Sequence, residues 1–211
     1  MLRNMTLNCR VTYTSYGGMG RGCIRALPRY VQQFGGMMVA VRGDHHVSAL
    51  RTRLTGAFPL MMLSAIEPFD DESIWWQPAP GVNPIAVLAL HCAGNLRHFI
   101  GRYVGGTDYE RNRPQEFDTS RRLTNREVLD EFKRAIDEVS ATMDRLRPED
   151  YAAPSRDPED RHSNVYEDFV NATVHLALHV GQAVQLAKLK GYTLGEAVWG
   201  DAHRASGAWH V

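Results

Sequence analysis

The sequence predicts an all-α protein built as a four-helix bundle. Four segments, each roughly twenty residues long, carry apolar side chains at the three- and four-residue spacing of an amphipathic helix. Polar segments containing glycine and proline separate them, and no stretch alternates apolar and polar residues as a half-buried strand would. Packing four apolar stripes against one another buries them together, which is the architecture of a four-helix bundle.

The first two predicted helices cover residues 46–66 and 84–103. In the first, Leu50, Leu54 and Phe58 belong to the apolar stripe, and Pro59 is expected to kink or split the helix. In the second, we expect Asn83 at the N-cap and Pro84 in the first helical position.

The other two predicted helices cover residues 124–146 and 163–190. Thr124 followed by Glu127 forms a capping-box pattern at the start of the third helix. Gly191 is placed to end the fourth helix in the left-handed conformation. We therefore assign residues 44–191 to the bundle.

The two ends of the chain fall outside this pattern. Residues 1–43 are rich in glycine and arginine and show no sustained period, so we expect a poorly structured, flexible N-terminal extension. A basic arm that binds a partner is the alternative. Residues 192–211 form a C-terminal tail to which we assign no chemistry.

Composition limits the classes of function. The 211 residues carry 24 Lys and Arg against 24 Asp and Glu, so the formal net charge is zero. This balance argues against nucleic-acid binding and against a polybasic membrane patch. The longest apolar run in the helical region, 85–90, is far too short to span a bilayer.

The cysteines and the N-terminus bear on the cellular compartment. Cys9, Cys23 and Cys92 are an odd number of thiols without a CxxC pair, which favours reduced cysteines over a disulfide framework. The N-terminus has no clean apolar segment of the secretory type. We expect a cytoplasmic protein.

Two histidines on the fourth helix form the first candidate site. His175 and His179 are four residues apart, so on a helix they lie on one face, about 6 Å apart along the axis. Two imidazoles so placed can bind one metal ion, but the pair lacks the glutamate of the HExxH motif. Two histidines that share a face by chance are the alternative, and a third ligand must decide.

His91 is the candidate third ligand. It lies in the apolar early part of the second helix, between Leu90 and Cys92, where an imidazole without a partner would be costly. If the second and fourth helices face each other, His91 meets His175 and His179. Three histidines with an open fourth position are typical of a catalytic or exchangeable divalent-metal site. A di-iron site fits poorly, because the helices lack its inward glutamates and ExxH pairs.

Several motifs together resemble a known family, the DinB/YfiT-like superfamily of metal-dependent four-helix-bundle proteins. The resemblance covers about residues 47–191 and implies a four-helix bundle with His91, His175 and His179 as metal ligands. The motifs that carry it are Trp75-Trp76-x-Pro78, His91-Cys92-Ala93-Gly94-Asn95-Leu96-Arg97-His98, Gly105-Gly106 with Arg111-Asn112-Arg113 and Glu116-Phe117, and His175-x-x-x-His179-x-Gly181-Gln182 with Leu186-x-Lys188-Leu189.

The resemblance also implies an activity. Some relatives resemble metal-dependent transferases or isomerases that use low-molecular-weight thiols such as bacillithiol or mycothiol. We therefore expect a divalent metal ion, zinc or nickel before iron or manganese, and a small-molecule substrate such as a thiol, in a transferase or hydrolase. No carboxylate stands out as a general base, so we assign no catalytic residue and no organic cofactor.

Several polar residues near the histidines have two readings. Asn95 and Asn171 each lie one turn from a candidate ligand and are either second-sphere groups or ordinary packing residues. For Arg97 and Gln182 a structural role is the first expectation, and Cys92 is expected in the core.

A non-catalytic function is the competing hypothesis. In it the histidines bind metal for stability or sensing, as in a stress-response module, and the bundle forms a homodimer. Exposed apolar surface around Met61 and Met62 of the first helix would favour this alternative.

Overall fold

The computed structural model describes residues 44–159 and 161–194, and within them the chain is helical. These residues contain no β-strand; one isolated bridge joins Pro154 to Asn164. The all-α prediction is therefore confirmed. The expected extension 1–43 and most of the tail, 195–211, lie outside the described residues. No helix of the described part is both long enough and apolar enough to cross a membrane.

Four long helices form the bundle, and we number them α1 to α4. The first two each combine α-helical and π-helical segments, whereas the last two are α-helical throughout. Their bounds are Asp44–Arg51, Thr52–Ala57 and Phe58–Ile66 for α1, Ile85–Leu96 and Arg97–Val104 for α2, Asn125–Arg145 for α3 and Val165–Leu189 for α4. These bounds agree with the four predicted helices to within a few residues.

Pro59 changes the winding of α1 without ending it. The segment Thr52–Ala57 is π-helical and comes directly before Phe58, whose N–H donates to Arg53 O, five residues back. Pro59 has no N–H to donate, and its ring would clash with a carbonyl of the preceding α-turn. A π-turn is one of the ways in which a helix accommodates such an interruption. The predicted kink therefore takes the form of a wider turn.

The helix ends follow the predicted signals with one exception. The Thr124 side chain accepts from Glu127 N–H, and Thr124 N–H donates to the Glu127 carboxylate at 2.8 Å. Gly191 has a φ of +92°, as expected of a residue that follows a helix. The prediction for α2 was wrong by one residue, because Pro84 and not Asn83 occupies the N-cap position.

Helices α2 and α3 run parallel to each other. Arg97 pairs with Glu138 at 3.0 Å, and just beyond the end of α2 the Gly105 carbonyl accepts a hydrogen bond from Arg145, seven residues further along α3. The connection 105–124 must therefore return along the length of the bundle before α3 begins. On the way it forms a short helix, Arg113–Glu116.

Helix α4 packs on the other side of α2 and runs antiparallel to it. Near the start of α2, His91 meets His175, whereas the Phe99 ring near its end lies 5.4 Å from His162, before α4 begins. The predicted neighbourhood of the second and fourth helices is confirmed. Buried side chains from all four helices fill the space between them, among them Leu54, Met62, Leu96, Phe132, Phe169 and Leu176.

The connection between α3 and α4 is held by a buried carboxylate. Both oxygens of Asp157 accept hydrogen bonds from Arg161, at 2.7 and 2.9 Å, and the Asp157 side chain is fully buried. The Arg161 guanidinium also lies 4.9 Å above the ring of Phe99 on α2. The hydrogen bonds from Arg161 lower the pKa of Asp157 to about 2.

We expect the Asp157–Arg161 pair to stabilise the fold at neutral pH and to lose its effect in acid. Since the pKa of Asp157 falls from 3.8 to about 2 on folding, the unfolded chain binds more protons between these values. The stabilisation is therefore complete above pH 3.8 and disappears as pH falls through 2. Asp157→Asn should lower the free energy of unfolding by about 1–2 kcal/mol at pH 6, since Arg161 is partly exposed and screened.

Urea unfolding of both proteins between pH 2 and pH 6 measures this difference, in roughly the range where carboxylates titrate. The Asp157→Asn deficit should shrink as the pH falls. Asp137→Asn, at an exposed position on α3, is the matched control and should follow the wild-type curve. A deficit of constant size at every pH would show that the charge of Asp157 contributes nothing.

Candidate metal centre

The three predicted histidines lie together between α2 and α4. His175 and His179 are one turn apart on α4, and their ring centroids are 4.5 Å apart. His91 reaches them from α2, with its Nε2 3.0 Å from Nε2 of His175. One nitrogen from each ring lies within 4.8 Å of the other two. The cluster is therefore compact enough to hold one metal ion.

Glu116 determines which nitrogen of His91 carries the proton. Its Oε2 lies 2.8 Å from His91 Nδ1. An ionised carboxylate only accepts hydrogen bonds, so Nδ1 must be the donor. In the neutral ring, Nε2 then has the free lone pair, and this is the nitrogen that faces His175. A carboxylate behind a histidine is a common partner of metal-binding imidazoles.

Arg111 holds Glu116 in its ionised form. The guanidinium donates from Nε to Oε1 at 2.6 Å and from Nη2 to Oε2 at 2.8 Å, a two-pronged pair. Glu116 is only 7% exposed. Burial alone raises the pKa of Glu116, but the hydrogen bonds from Arg111 and His91 outweigh it, and the pKa is lowered overall. The carboxylate therefore stays charged at neutral pH.

The close approach of Glu116 to α2 requires a glycine. A Cβ at position 94 would collide with Glu116 Oε1 and its carboxyl carbon. Gly94 lies one turn after His91, on the side where the connection 105–124 crosses the helix. The absence of a side chain there lets the carboxylate reach His91 Nδ1.

Burial holds the two histidines of α4 in the neutral form. Desolvation, followed by the neighbouring His179 and His91 rings, lowers the pKa of His175 to about 3. Desolvation lowers the pKa of His179 as well, although its hydrogen bond to Gln182 opposes the shift. His179 Nδ1 donates to Gln182 Oε1 at 2.7 Å, which leaves its Nε2 as the free ligand atom.

The donor set fits a divalent ion. Two nitrogens, each about 2.0–2.1 Å from a tetrahedral ion, are about 3.3 Å apart, close to the observed separation of His91 and His175. Metal ligands must be deprotonated, and the lowered pKa values of His175 and His179 keep those two rings neutral. Within the described residues no fourth His, Cys, Asp or Glu joins the cluster. Three histidines with an open fourth position are typical of exchangeable metal sites, whereas closed structural sites have four protein ligands.

The other residues considered from the sequence fall into different places. Cys92 is buried in the core, and burial raises the pKa of its thiol far above the usual range. Arg97 pairs with Glu138 and lies 4.1 Å from the ring of Tyr109, so its role is structural. Asn95 is buried, and its Oδ1 has no hydrogen-bond partner in the described part of the chain. Asn171 lies within α4 and is not one of the three residues of the cluster.

Sequence reasoning missed the roles of Glu116 and Arg111. Both were noted only as part of the family resemblance, and no carboxylate was expected to act at the site. They lie 25 and 20 residues after His91 in a polar connection, where no periodicity shows which side chains turn inward. The available signal was the spacing of Arg111 and Glu116, five residues apart, with Glu116 ending the short helix Arg113–Glu116.

Fold and site together define the class: an all-α bundle with a candidate three-histidine metal centre. The family model of the DinB superfamily matches residues 59–183, more than half of the chain. The chain therefore belongs to the DinB superfamily, which confirms the resemblance inferred from its motifs. Comparison with curated proteins and with solved structures finds no match.

We expect Glu116→Gln to weaken metal binding about 10–100-fold, the usual effect of losing an outer hydrogen-bond partner. The substitution removes the negative charge that makes His91 a better ligand. It also leaves the positive charge of Arg111 uncompensated. Calorimetric titration with Zn²⁺ and Ni²⁺ measures the affinity, and circular dichroism confirms the helical fold.

Asp118→Asn is the matched control for this experiment. Asp118 lies on the same connection, but it is exposed, and its side chain accepts hydrogen bonds from Ser120 and not from the cluster. Its substitution should leave the affinity unchanged. If Glu116→Gln also binds both metals as tightly as the wild type does, the Glu116–His91 contact has no bearing on the site.

Proposed function

We propose that this protein is a divalent-metal-dependent enzyme in which His91, His175 and His179 hold one ion. The observation that carries the proposal is the 3.0 Å approach of two ring nitrogens from different helices, with Glu116 holding the proton of His91 on the far nitrogen. Membership of the DinB superfamily supports the same ligand set.

The residues divide the work of such a site among them. Glu116 holds the proton on His91 Nδ1, and Gln182 accepts the proton of His179 Nδ1, so both rings present Nε2. Burial of His91, at 8% exposure, excludes water from one side. When bound, the ion supplies Lewis-acid activation of a thiol or a water molecule in the open position. This chemistry suits a transferase that uses a low-molecular-weight thiol, or a hydrolase.

The three histidine ligands indicate a group of possible metals and not a single one. Neutral imidazoles suit zinc and nickel, which we place first, and also accept iron; manganese prefers oxygen ligands. We infer a small-molecule substrate, with a thiol as the first choice. We also place the protein in the cytoplasm, since Cys92 is a free and buried thiol and reduced cysteines are typical of that compartment.

One observation favours the second candidate, a non-catalytic metal-binding module that forms a homodimer. Val174 and Leu178 lie on adjacent turns of α4, and their side chains are 63% and 61% exposed. Exposed apolar side chains in a row are typical of an interaction surface. The surface expected on α1 gives no such support, because Met62 is fully buried and Met61 only partly exposed.

We expect His175→Ala to weaken Zn²⁺ and Ni²⁺ binding by at least about 100-fold, more than the loss of an outer-sphere partner. The reason is that a ligand atom is removed from the cluster. Excess metal should raise the melting temperature of the wild type but not that of the variant. Elemental analysis of the protein as purified, followed by thermal-shift titration, tests both expectations.

His46→Ala is the matched control, because His46 is exposed on α1 and outside the cluster. The proposed site is contradicted if the purified wild type contains no metal and its melting temperature does not change when zinc or nickel is added. Turnover separates the two candidates: with metal loaded, thiol-conjugation activity that disappears with a chelator requires an enzyme.

A further inference from the structure

A cavity of about 620 Å³ lies between α4 and the connection 78–83, and its lining includes Gln182, the hydrogen-bond partner of His179. Its floor is formed by Leu88 on α2 and Leu186 on α4, both buried. Its wall on α4 includes Leu178 and Gln182, the neighbours of His179 in sequence and in hydrogen bonding. The volume lies in the range of small-molecule sites, about 300–1,000 Å³.

The lining of this cavity is uncharged. Its described lining residues include no Asp, Glu, Lys, Arg or His. Leucines dominate, and Leu178 and Leu189 are 61% and 58% exposed, an unusual degree for large apolar side chains. An anionic group would find no countercharge here and would lose its hydration. The cavity therefore favours neutral and mainly apolar groups.

Three side-chain amides supply the polar contacts of the cavity: Asn83, Gln182 and Gln185. Gln182 indicates what kind of group can bind. Its Oε1 accepts a hydrogen bond from His179 Nδ1 at 2.7 Å, so the part of the amide that is left for another partner is the NH₂ group, which only donates. A group bound beside it must accept a hydrogen bond, as a carbonyl or ether oxygen does.

We propose that this cavity binds a neutral, mainly apolar co-substrate that bears a hydrogen-bond acceptor, and that Gln182 orients it beside the metal centre. This inference rests on the proposed function, because it names the second substrate of that site. One amide then contacts both a metal ligand and the substrate. Carboxylates and phosphates are excluded by the same lining.

The shape of the cavity favours a small molecule over a second copy of the chain. Leu88 is 3% and Leu186 is 5% exposed, so the floor lies deep between two helices and a connection. Val174, 63% exposed, lies on the same helix but outside the lining. A flat helical surface suits a protein partner, whereas this cavity suits a compact ligand.

The test is fluorescence titration with 6-propionyl-2-(dimethylamino)naphthalene, a neutral aromatic ketone whose emission reports an apolar environment. A Cβ at Gly181 meets no atom within 4 Å, so Gly181→Leu fills the cavity without a clash and improves helix propensity. We expect Gly181→Leu to weaken probe binding at least about tenfold, the effect of losing a few buried methylenes.

A matched pair of variants keeps the test independent of Gly181. Leu178→Asn should weaken probe binding, whereas Val174→Asn should not, since both residues are exposed on α4 but only Leu178 lines the cavity. A carboxylate analogue of the probe should not bind the wild type. Equal binding of the probe to all variants, or equal binding of the carboxylate, overturns the proposal.

Two further measurements separate this proposal from its alternatives. Sedimentation at several protein concentrations detects a second copy of the chain. If the probe is released as a dimer forms, the cavity is an interface and the proposal is overturned.

Calorimetry with Ni²⁺ tests the metal centre separately. Gly181→Leu should bind Ni²⁺ normally while losing the probe, whereas wild type that binds the probe but not Ni²⁺ contradicts the proposed function and leaves the ligand class of the cavity supported.

Discussion

The hydrogen bond between Glu116 and His91 is the contact on which the rest of the site depends. It joins the connection 105–124 to α2 and selects the nitrogen that faces α4. The contact is possible only because Arg111 neutralises the buried carboxylate and Gly94 leaves room for it. Removing one partner of such a pair leaves an uncompensated buried charge, which costs about 3–5 kcal/mol.

The parallel arrangement of α2 and α3 explains why a loop supplies this contact. Two consecutive parallel helices need a connection that returns along the bundle, and here that connection contacts α2. The connection therefore crosses the helix near His91, and the short helix Arg113–Glu116 holds the glutamate there. Topology and site chemistry are linked: the long crossover connection supplies the outer partner of the ligand.

Much of the fold follows from local signals in the sequence, and part of the site does not. Helical periodicity, the Thr124–Glu127 capping box and Gly191 predicted the four helices, because these signals act within a few residues. The three histidines were predicted because two share a helix face and the third is an imidazole in an apolar segment. The contacts of Glu116 and Arg111 with His91 span 25 and 20 residues of sequence, and no local pattern records them.

The two sides of the candidate centre differ in charge, and this difference bears on its chemistry. On the side of the connection 105–124, Arg111 and Glu116 cancel each other, so they order His91 without adding net charge. On the side of α4, Gln182 plays the corresponding role for His179 with a neutral amide. A divalent ion held by these three rings would keep its full charge, which would favour an anionic fourth ligand such as a thiolate. The uncharged lining beside Gln182 contains no countercharge for such an anion, so the two proposals together would place an anionic reactant at the ion and a neutral one in the cavity.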